Sequence, residues 1–321
     1  MIKNQRIIKR VVQEMGGTIE KIIPERSYYY IKLRGEKIFI NKKFVIDSDL
    51  FSRKQPTNFK DLTYIFLKEN NIPTPNTVCF YRKTITEEKL NEELGKLSYP
   101  IVVKDASGSY SLGVFTDIKN SRDAKQLILR EIEKFPCLVT QEMIFGKEYR
   151  ILVLEDKIIG ALEMIPPRIF GNGESTTKEL IEKKQENTEK RTPLDAVLTE
   201  LLQKQGETLA STPKEGKEIF LRTSSCLAEG GETADSTDIV NEEIKLLCVK
   251  AAKAVDKKLT GLDIICDDIT KSPSKQRINI LEANRRPDLY IHYNPTHGKT
   301  RDVVRYIIEF ILELKKNSDL K

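Results

Sequence analysis

The sequence predicts a mixed α/β fold with substantial antiparallel pairing, and three observations lead to it. Short apolar runs of period-two character, such as Glu148 to Leu154 and Ile158 to Met164, recur beside tight turn signals. Amphipathic stretches of helical length alternate with them, at about Leu194 to Lys204, Asn241 to Lys257 and Thr300 to Lys315. At 321 residues and 39% hydrophobic, the chain can bury a large core spread over roughly two or three lobes.

Residues 5 to 15 carry helical periodicity and end at Gly16-Gly17. Tyr28 to Leu33 and Lys37 to Asn41 then read as strands around the turn Arg34-Gly35-Glu36, which completes a small α/β lead-in. Asp61 to Glu69 predicts a helix stopped by Asn70-Asn71. Ile72-Pro73-Thr74-Pro75 must be extended, because each proline restricts the residue before it. From Tyr99 the order is strand, glycine-bearing loop, strand: Pro100 to Lys104, Asp105 to Leu112, Gly113 to Thr116. A helix fits Arg122 to Lys134. Val139 to Glu142 and Glu148 to Leu154 read as strands, the second turning at Glu155-Asp156-Lys157 into Ile158 to Met164. The polar stretch from Gly171 to Lys190 reads as loop or exposed helix.

Composition excludes several function classes. The net charge of +6 comes from 54 Lys and Arg against 48 Asp and Glu, but the signs interleave, as in Glu182-Lys183-Lys184-Gln185-Glu186. This describes a mixed solvated surface rather than a nucleic-acid footprint. No aromatic and basic cluster of the kind that stacks bases stands out. No stretch approaches the ~18 apolar residues of a membrane span, and Met1 to Arg6 leads into an amphipathic segment, so neither a span nor a signal peptide is expected. The five cysteines, Cys79, Cys137, Cys226, Cys248 and Cys266, are scattered and form no C-x-x-C pair. A reduced, cytoplasmic chain without structural zinc is expected.

The candidate chemistry rests on oxygen ligands and cations. Glu282 and Asn284 are two apart in Ile280-Leu-Glu-Ala-Asn284, so on a strand they share a face while Leu281 and Ala283 turn toward a core. Asp263 sits likewise between apolar neighbours. Two carboxylates and an amide oxygen, with no Cys or His beside them, suit Mg²⁺; solvated or helix-capping acids are the plain alternative. Lys104 ends an apolar strand ahead of a loop holding Ser107, Gly108 and Gly113. Backbone N–H groups of such a loop can approach phosphate oxygens while the lysine adds a point charge. It is not a Walker A sequence, and an ordinary hairpin loop has the same composition.

Further along, Glu142 suits a ribose or an adenine amine, Glu148 a ribose hydroxyl and Arg150 a phosphate, although salt bridges within strands account for all three. Arg222 leads into a Gly230-Gly231 loop, where it can hold a transferring phosphoryl group or sit as a surface arginine at a turn. His292 and His297 are the only histidines. Asn294-Pro295 lies between them, which disfavours a shared metal and favours structural or substrate-contacting roles. Cys226 has no histidine near it in sequence, so thiolate catalysis is not expected.

Ordered strings carry a resemblance: Asn71-Ile-Pro-Thr-Pro75; Tyr99-Pro-Ile-Val-Val-Lys104; Gly146-Lys-Glu-Tyr-Arg150; Pro167-Arg-Ile-Phe-Gly-Asn-Gly173 into Thr176 to Leu180; Arg191-Thr-Pro-Leu194. They continue with Phe220-Leu-Arg222 through Gly231, Gly261-Leu-Asp263, Glu282-Ala-Asn284, and His292 through Arg301. In this order they resemble the ATP-grasp superfamily, most nearly the ATP-grasp half of the bifunctional glutathione synthetases, with the cyanophycin synthetases a near relative. The resemblance implies an ATP-grasp fold in which two lobes clamp ATP. It implies an N-terminal α/β segment over 1–57, an N-lobe with the phosphate loop over 58–142, and a C-lobe with the metal and substrate site over 143–316. It places Lys60, Lys104, Ser107, Gly108, Gly113, Glu142 and Glu148 at ATP, and Mg²⁺, replaceable by Mn²⁺, on Asp263, Glu282 and Asn284. Arg222 and Arg150 become catalytic cations, and Arg285, Arg286, His292 and Arg301 substrate contacts.

The implied reaction activates a carboxylate as an acyl phosphate, which an amine then attacks with expulsion of phosphate. The implied partners are a small-molecule carboxylate and an amine, with no nucleic acid and no membrane; a homodimer is compatible with this. Some positions depart from the family. Cys226 replaces a usual asparagine, Ala228-Glu229 a Ser-Thr pair, Tyr64 a second lysine, and Arg285-Arg286 smaller or neutral residues. Two guanidiniums beside a metal site suit an acidic acceptor or peptide, and Glu229 an amine. The chain has no room for a glutamate-cysteine ligase or Mur-ligase-like domain. The leading expectation is therefore an ATP-dependent carboxylate–amine ligase acting on a small amino acid or short peptide. Glutathione synthetase activity and a nucleotide-binding pseudoenzyme that regulates or scaffolds a partner are the alternatives.

Overall fold

The computed structural model of the chain describes residues 3–21, 28–41, 59–108, 113–186 and 191–318. They divide into two compact units, the first comprising Met1–Leu162, Ser236–Asn294 and Thr300–Lys321, the second Glu163–Asp235 and Pro295–Lys299.

The lead-in follows its periodicity. Ile7, Ile8, Val11 and Val12 recur at helical spacing in the helix Lys3–Glu14, and all four are buried. Strands β1 (Thr18–Lys21), β2 (Tyr28–Leu33) and β3 (Glu36–Asn41) form an antiparallel sheet in that order. This layer shares a core with the helix Val303–Ser318, through Ile31, Leu33 and Ile38 against Val304, Ile307, Ile308 and Ile311.

A four-stranded antiparallel sheet comes next, built from β4 (Thr77–Tyr81), β5 (Ile101–Asp105), β6 (Val114–Ile118) and β7 (Cys137–Glu142) in the order β4-β7-β5-β6. The helices Glu87–Leu94 and Ser121–Glu131 cover it, burying Leu90, Leu94, Ala124 and Ile128 against Phe80, Ile101, Val103 and Leu138. The first of these helices has only two apolar residues in eight, and their spacing of four puts both on the buried face.

β8 (Lys147–Leu154) and β9 (Lys157–Ile165) form the predicted hairpin, after which the chain enters the second unit. There β10 (Arg168–Phe170) pairs with β11 (Glu218–Phe220), and Ile169, Ile181, Leu198, Leu202, Ile219 and Leu221 make a separate core. The polar stretch from Gly171, expected as loop or exposed helix, contains the helix Thr177–Gln185, started by a Thr176–Glu179 capping box and anchored by buried Thr177 and Ile181. Residues 187–190 of that stretch lie outside the described residues.

Gly171 lies against backbone. A Cβ there would overlap the carbonyl oxygens of Lys214 and Pro213, while its own N–H and C=O are held by Lys217 O and Gly216 N. Gly171→Ala is expected to destabilise this unit by about 1–3 kcal/mol in urea unfolding; an unchanged midpoint would show that the 213–217 turn moves freely.

β12 (Glu232–Asp235) closes this passage. β13 (Leu259–Cys266) and β14 (Ile278–Asn284) then complete a five-stranded sheet of order β12-β9-β8-β13-β14. One face of β8, β13 and β14 is packed by the helix Glu242–Ala254, with Ile244, Cys248, Ala251 and Ala252 against Tyr149, Ile151, Leu262, Ile264, Ile280 and Ala283. The segment Pro295–Lys299 runs beside β12, with His297 bridging Ala234 in parallel. His297 N donates to Thr233 O (2.9 Å) and Asp235 N to His297 O (2.9 Å). Among the described residues no helix is long and apolar enough to cross a membrane, and all five cysteines are free.

Candidate active site

The pairing register assembles the site. Asp263 on β13 lies opposite Arg150 on β8 and opposite Glu282 on β14, while Glu148 faces Ile265 and Asn284 faces Gly261. Side chains two apart share a face, so Glu148, Arg150, Asp263, Glu282 and Asn284 form one patch, opposite the face packed by the helix Glu242–Ala254. A bulge in β14 sets the phase: the register shifts between Asp263 and Ile264, and Leu281 is the extra residue. Ile280 and Ala283 are therefore the buried pair, at 1% exposure each, and Leu281 is only half-buried. The expectation that Leu281 and Ala283 turn inward together holds for Ala283 alone, because strict alternation fails at a bulge.

Within the patch, Arg150 forms an ion pair with Asp263 through Nε and donates from Nη2 to Oδ2 (3.1 Å). Asn284 Nδ2 donates to the same oxygen (3.0 Å) and to Gly261 O (3.2 Å). A side chain at Gly261 would crowd Pro287 Cβ (3.0 Å) and touch Arg150 Cδ (3.4 Å). Burial pushes the Asp263 carboxyl up to about 6, with Arg150 opposing and Glu282 and Glu148 reinforcing. Burial works against the Arg150 charge, but Asp263, with Glu148 and Glu282 adding to it, holds Arg150 above its ordinary value.

Two lysines face these acids. Lys60, first residue of the helix Lys60–Glu69, lies 3.5 Å from Glu282 Oε1 and donates from Nζ to Gly108 O, so one ammonium links the acidic patch to the predicted phosphate loop. Lys104 on β5 is buried, and burial lowers its pKa; Glu282 and Asp263 counter this and Lys60 adds to it. Among the described residues, Lys104 Nζ has no hydrogen-bond or ion-pair partner. A desolvated cation between carboxylates suits a bound polyanion.

The loop is anchored at both described ends. Asp105 accepts from Ser107 N (3.1 Å) and Ser107 Oγ (3.2 Å), and Asp105 N donates to Gly113 O (3.1 Å). Residues 109–112, part of the predicted phosphate loop, lie outside the described residues. Glu142 accepts from Ser98 N (2.8 Å) and Asn76 Nδ2 (3.2 Å), so in this state it ties β7 to the segment before β5. Sequence reasoning overlooked Asp61, whose Oδ2 accepts from Tyr81 OH (2.9 Å) while its buried Oδ1 has no hydrogen-bond partner among the described residues. Its adjacency to Lys60 was the only available signal.

Arg285 follows Asn284 directly; burial and then Arg286 lower its pKa, and burial with Arg285 brings Lys257 down to about 8. His292 is fully buried against Gly160. Arg301 pairs with both oxygens of Asp238 (2.9 Å each) and donates from its backbone N to His292 O. Arg222 belongs to the second unit, where it is buried and donates to Asp195 Oδ2 (2.9 Å), Pro193 O (3.0 Å) and Leu221 O (2.9 Å).

Among the described residues no three His, Cys, Asp or Glu side chains form a metal cage. The candidate set is two carboxylates and one amide, all hard oxygen donors. That set fits Mg²⁺, which takes few protein ligands and fills its shell with water and phosphate oxygens. A carboxylate must be ionised to ligate. The raised Asp263 pKa therefore predicts that Mg²⁺ affinity, titrated without nucleotide, climbs between about pH 5 and 7 and then levels off. A flat profile would remove Asp263 from the set.

Residues 57–174 match the family model described as the RimK-like ATP-grasp domain. Over 306 residues the chain is 30% identical to the glutathione biosynthesis bifunctional protein GshAB of Clostridium perfringens, covering 91% of this chain and 39% of that protein. It is 28% identical over 261 residues to the cyanophycin synthetase of a Nostoc species, covering 78% of this chain and 29% of the relative. The crystal structure of a bifunctional glutathione synthetase from Pasteurella multocida shares its fold, with a TM-score of 0.71 at 22% identity over 97% of this chain and 44% of that one. The chain thus spans less than half the length of each of these proteins.

Proposed function

Because this chain belongs to the ATP-grasp family, with a RimK-like ATP-grasp domain over residues 57–174, we propose that it is an ATP-dependent carboxylate–amine ligase. The observation that carries the reading is the cross-strand row Arg150–Asp263–Glu282 with Asn284, faced by Lys60 and Lys104. It concentrates hard oxygen ligands and desolvated cations on one patch, the combination that phosphoryl transfer needs.

In this reading the substrate carboxylate attacks the γ-phosphorus of ATP and ADP departs. The neutral amine then attacks the carbonyl carbon of the acyl phosphate, the C–O bond to phosphate breaks, and the departing phosphate takes up the proton that the nitrogen loses. Lys104 and Lys60 hold phosphate oxygens, and Lys60 also fixes the loop through Gly108. Asp263, Glu282 and Asn284 would hold Mg²⁺, which would screen repulsion between the phosphates and the incoming carboxylate. Arg150 keeps Asp263 ionised and oriented. Arg222 is proposed as the cation for phosphoryl and tetrahedral charge. Arg285 and Arg286 favour an acidic acceptor or peptide, and the named relatives make amino-acid or peptide substrates the first to test. A cytoplasmic location, where ATP and Mg²⁺ are plentiful, goes with this reading.

The test is phosphate release with MgATP and pairwise pools of amino acids, dipeptides and γ-glutamyl compounds, followed by product mass. The expected result is ADP and phosphate formation that needs both a carboxylate and an amine. Tight MgATP binding with no ADP across the whole panel would support a pseudoenzyme instead. The 30% identity to the glutathione biosynthesis protein over 91% of this chain favours γ-glutamylcysteine plus glycine as the first pair within the panel.

A further inference from the structure

We propose that Asp61 is a positioning residue for nucleotide binding: its carboxylate locks the start of the helix Lys60–Glu69 onto the four-stranded sheet and so sets Lys60 at the phosphate loop. The assignment rests on the reading of Lys60 as a phosphate contact. It starts from an inverted pattern of burial. In the first turns of this helix Asp61 (8% exposed) and Thr63 are buried, while Phe59, Leu62 and Ile65 are exposed. Apolar side chains face solvent here, so the hydrophobic effect does not fix how this end of the helix sits on the sheet. A carboxylate does, and burying one is costly unless donors meet it.

The donors come from two strands. Tyr81 OH on β4 donates to Asp61 Oδ2 (2.9 Å), and Cys137 Sγ on β7 lies 3.8 Å from the same oxygen as a weak donor. Burial and then Asp61 hold the Tyr81 hydroxyl and the Cys137 thiol above their ordinary values, so both keep the proton they donate. A backbone bond from Lys60 N to Ala106 O (2.8 Å) pins the same turn. Consecutive side chains on a helix lie roughly 100° apart. With Asp61 turned into the sheet, Lys60 therefore points to Gly108 O and Glu282 Oε1. A residue present for stability alone gains little here, since an apolar side chain would fill the space without leaving Oδ1 unpaired among the described residues. What the carboxylate adds is direction, and a binding cation needs to be held within about 0.5 Å by neighbours whose own conformations are locked.

MgATP affinity, measured by titration calorimetry on the full chain, tests this without knowledge of the other substrates. Asp61→Ala is expected to raise the Kd for MgATP about tenfold, the size of one charged contact. Asp61→Asn, which still accepts from Tyr81, should recover part of the loss. In a Lys60→Met background Asp61→Ala is expected to raise Kd no further, because the two residues act through one contact, whereas a general loosening of the fold would add the two losses. Thermal melts without nucleotide show which variants are folded. Where Asp61→Ala is not, Tyr81→Phe removes the anchoring donor with the loss of one oxygen and is expected to give a smaller rise with the same non-additivity. An unchanged Kd in folded Asp61→Ala overturns the assignment, as do additive losses in the double variant. An unchanged Kd in Lys60→Met overturns the phosphate reading of Lys60, and a wild-type chain that binds no MgATP overturns the nucleotide reading; the assignment falls with either.

Discussion

Alanine in place of Glu282 is expected to lower turnover by about a thousandfold or more while leaving the melting temperature nearly unchanged. Glu282 is only half-buried, so its loss opens no core cavity. Its work is electrostatic: it is one of two carboxylates in the candidate metal set, the ion-pair partner of Lys60, and a source of the negative potential that offsets the desolvation of Lys104. Removal lowers affinity for the metal, unpairs Lys60 and pushes the Lys104 pKa down further. Asp263→Ala is expected to match the activity loss. ADP release beside a thermal melt reads both effects, and undiminished turnover in the two variants would dispose of the assigned metal site.

Arg150→Met carries the largest expected stability effect, a loss of about 3–5 kcal/mol, because it leaves the Asp263 carboxylate inside the fold without its cation. The Arg150 and Asp263 side chains are 20% and 13% exposed, so solvent offers little relief. The sign of the pH dependence follows. Asp263 already has a raised pKa, and losing Arg150 raises it further. The folded variant then binds a proton at a pH where the unfolded chain does not, so its stability falls as pH rises through the shifted value. Urea unfolding should show a larger deficit near pH 8 than near pH 5, and Arg150→Met with Asp263→Asn should recover much of it. An equal deficit at both pH values would mean that Arg150 acts by packing alone.

Local pattern revealed most of the elements around this site but not their convergence. The strands bearing Lys104, Arg150 and Glu282 were legible because apolar alternation repeats over short distances. So was the shared face of Glu282 and Asn284. What lay beyond reach was the register, since placing Arg150 against Asp263 and Asp263 against Glu282 depends on pairings between residues over a hundred positions apart in one case. The bulge at Leu281 was hidden for a related reason: only the neighbouring strand defines where an extra residue sits. The helix Glu87–Leu94 escaped because two leucines among charged residues give little signal, and β12 because Glu-Thr-Ala-Asp has no β-forming character beyond its threonine. Partners such as Ser98 for Glu142 or Asp195 for Arg222 are contacts of the folded chain, and a motif names only one side of each.

The segment Pro295–Lys299 belongs to the second unit although the residues on either side of it belong to the first. Its backbone takes up the Thr233 carbonyl and the Asp235 amide, and His297 Nε2 meets Glu232 Oε2 at 3.0 Å. Transplanting the second unit into a relative would therefore require two grafts rather than one. A chimera that carries 163–235 alone would arrive with one edge of β12 facing a foreign strap.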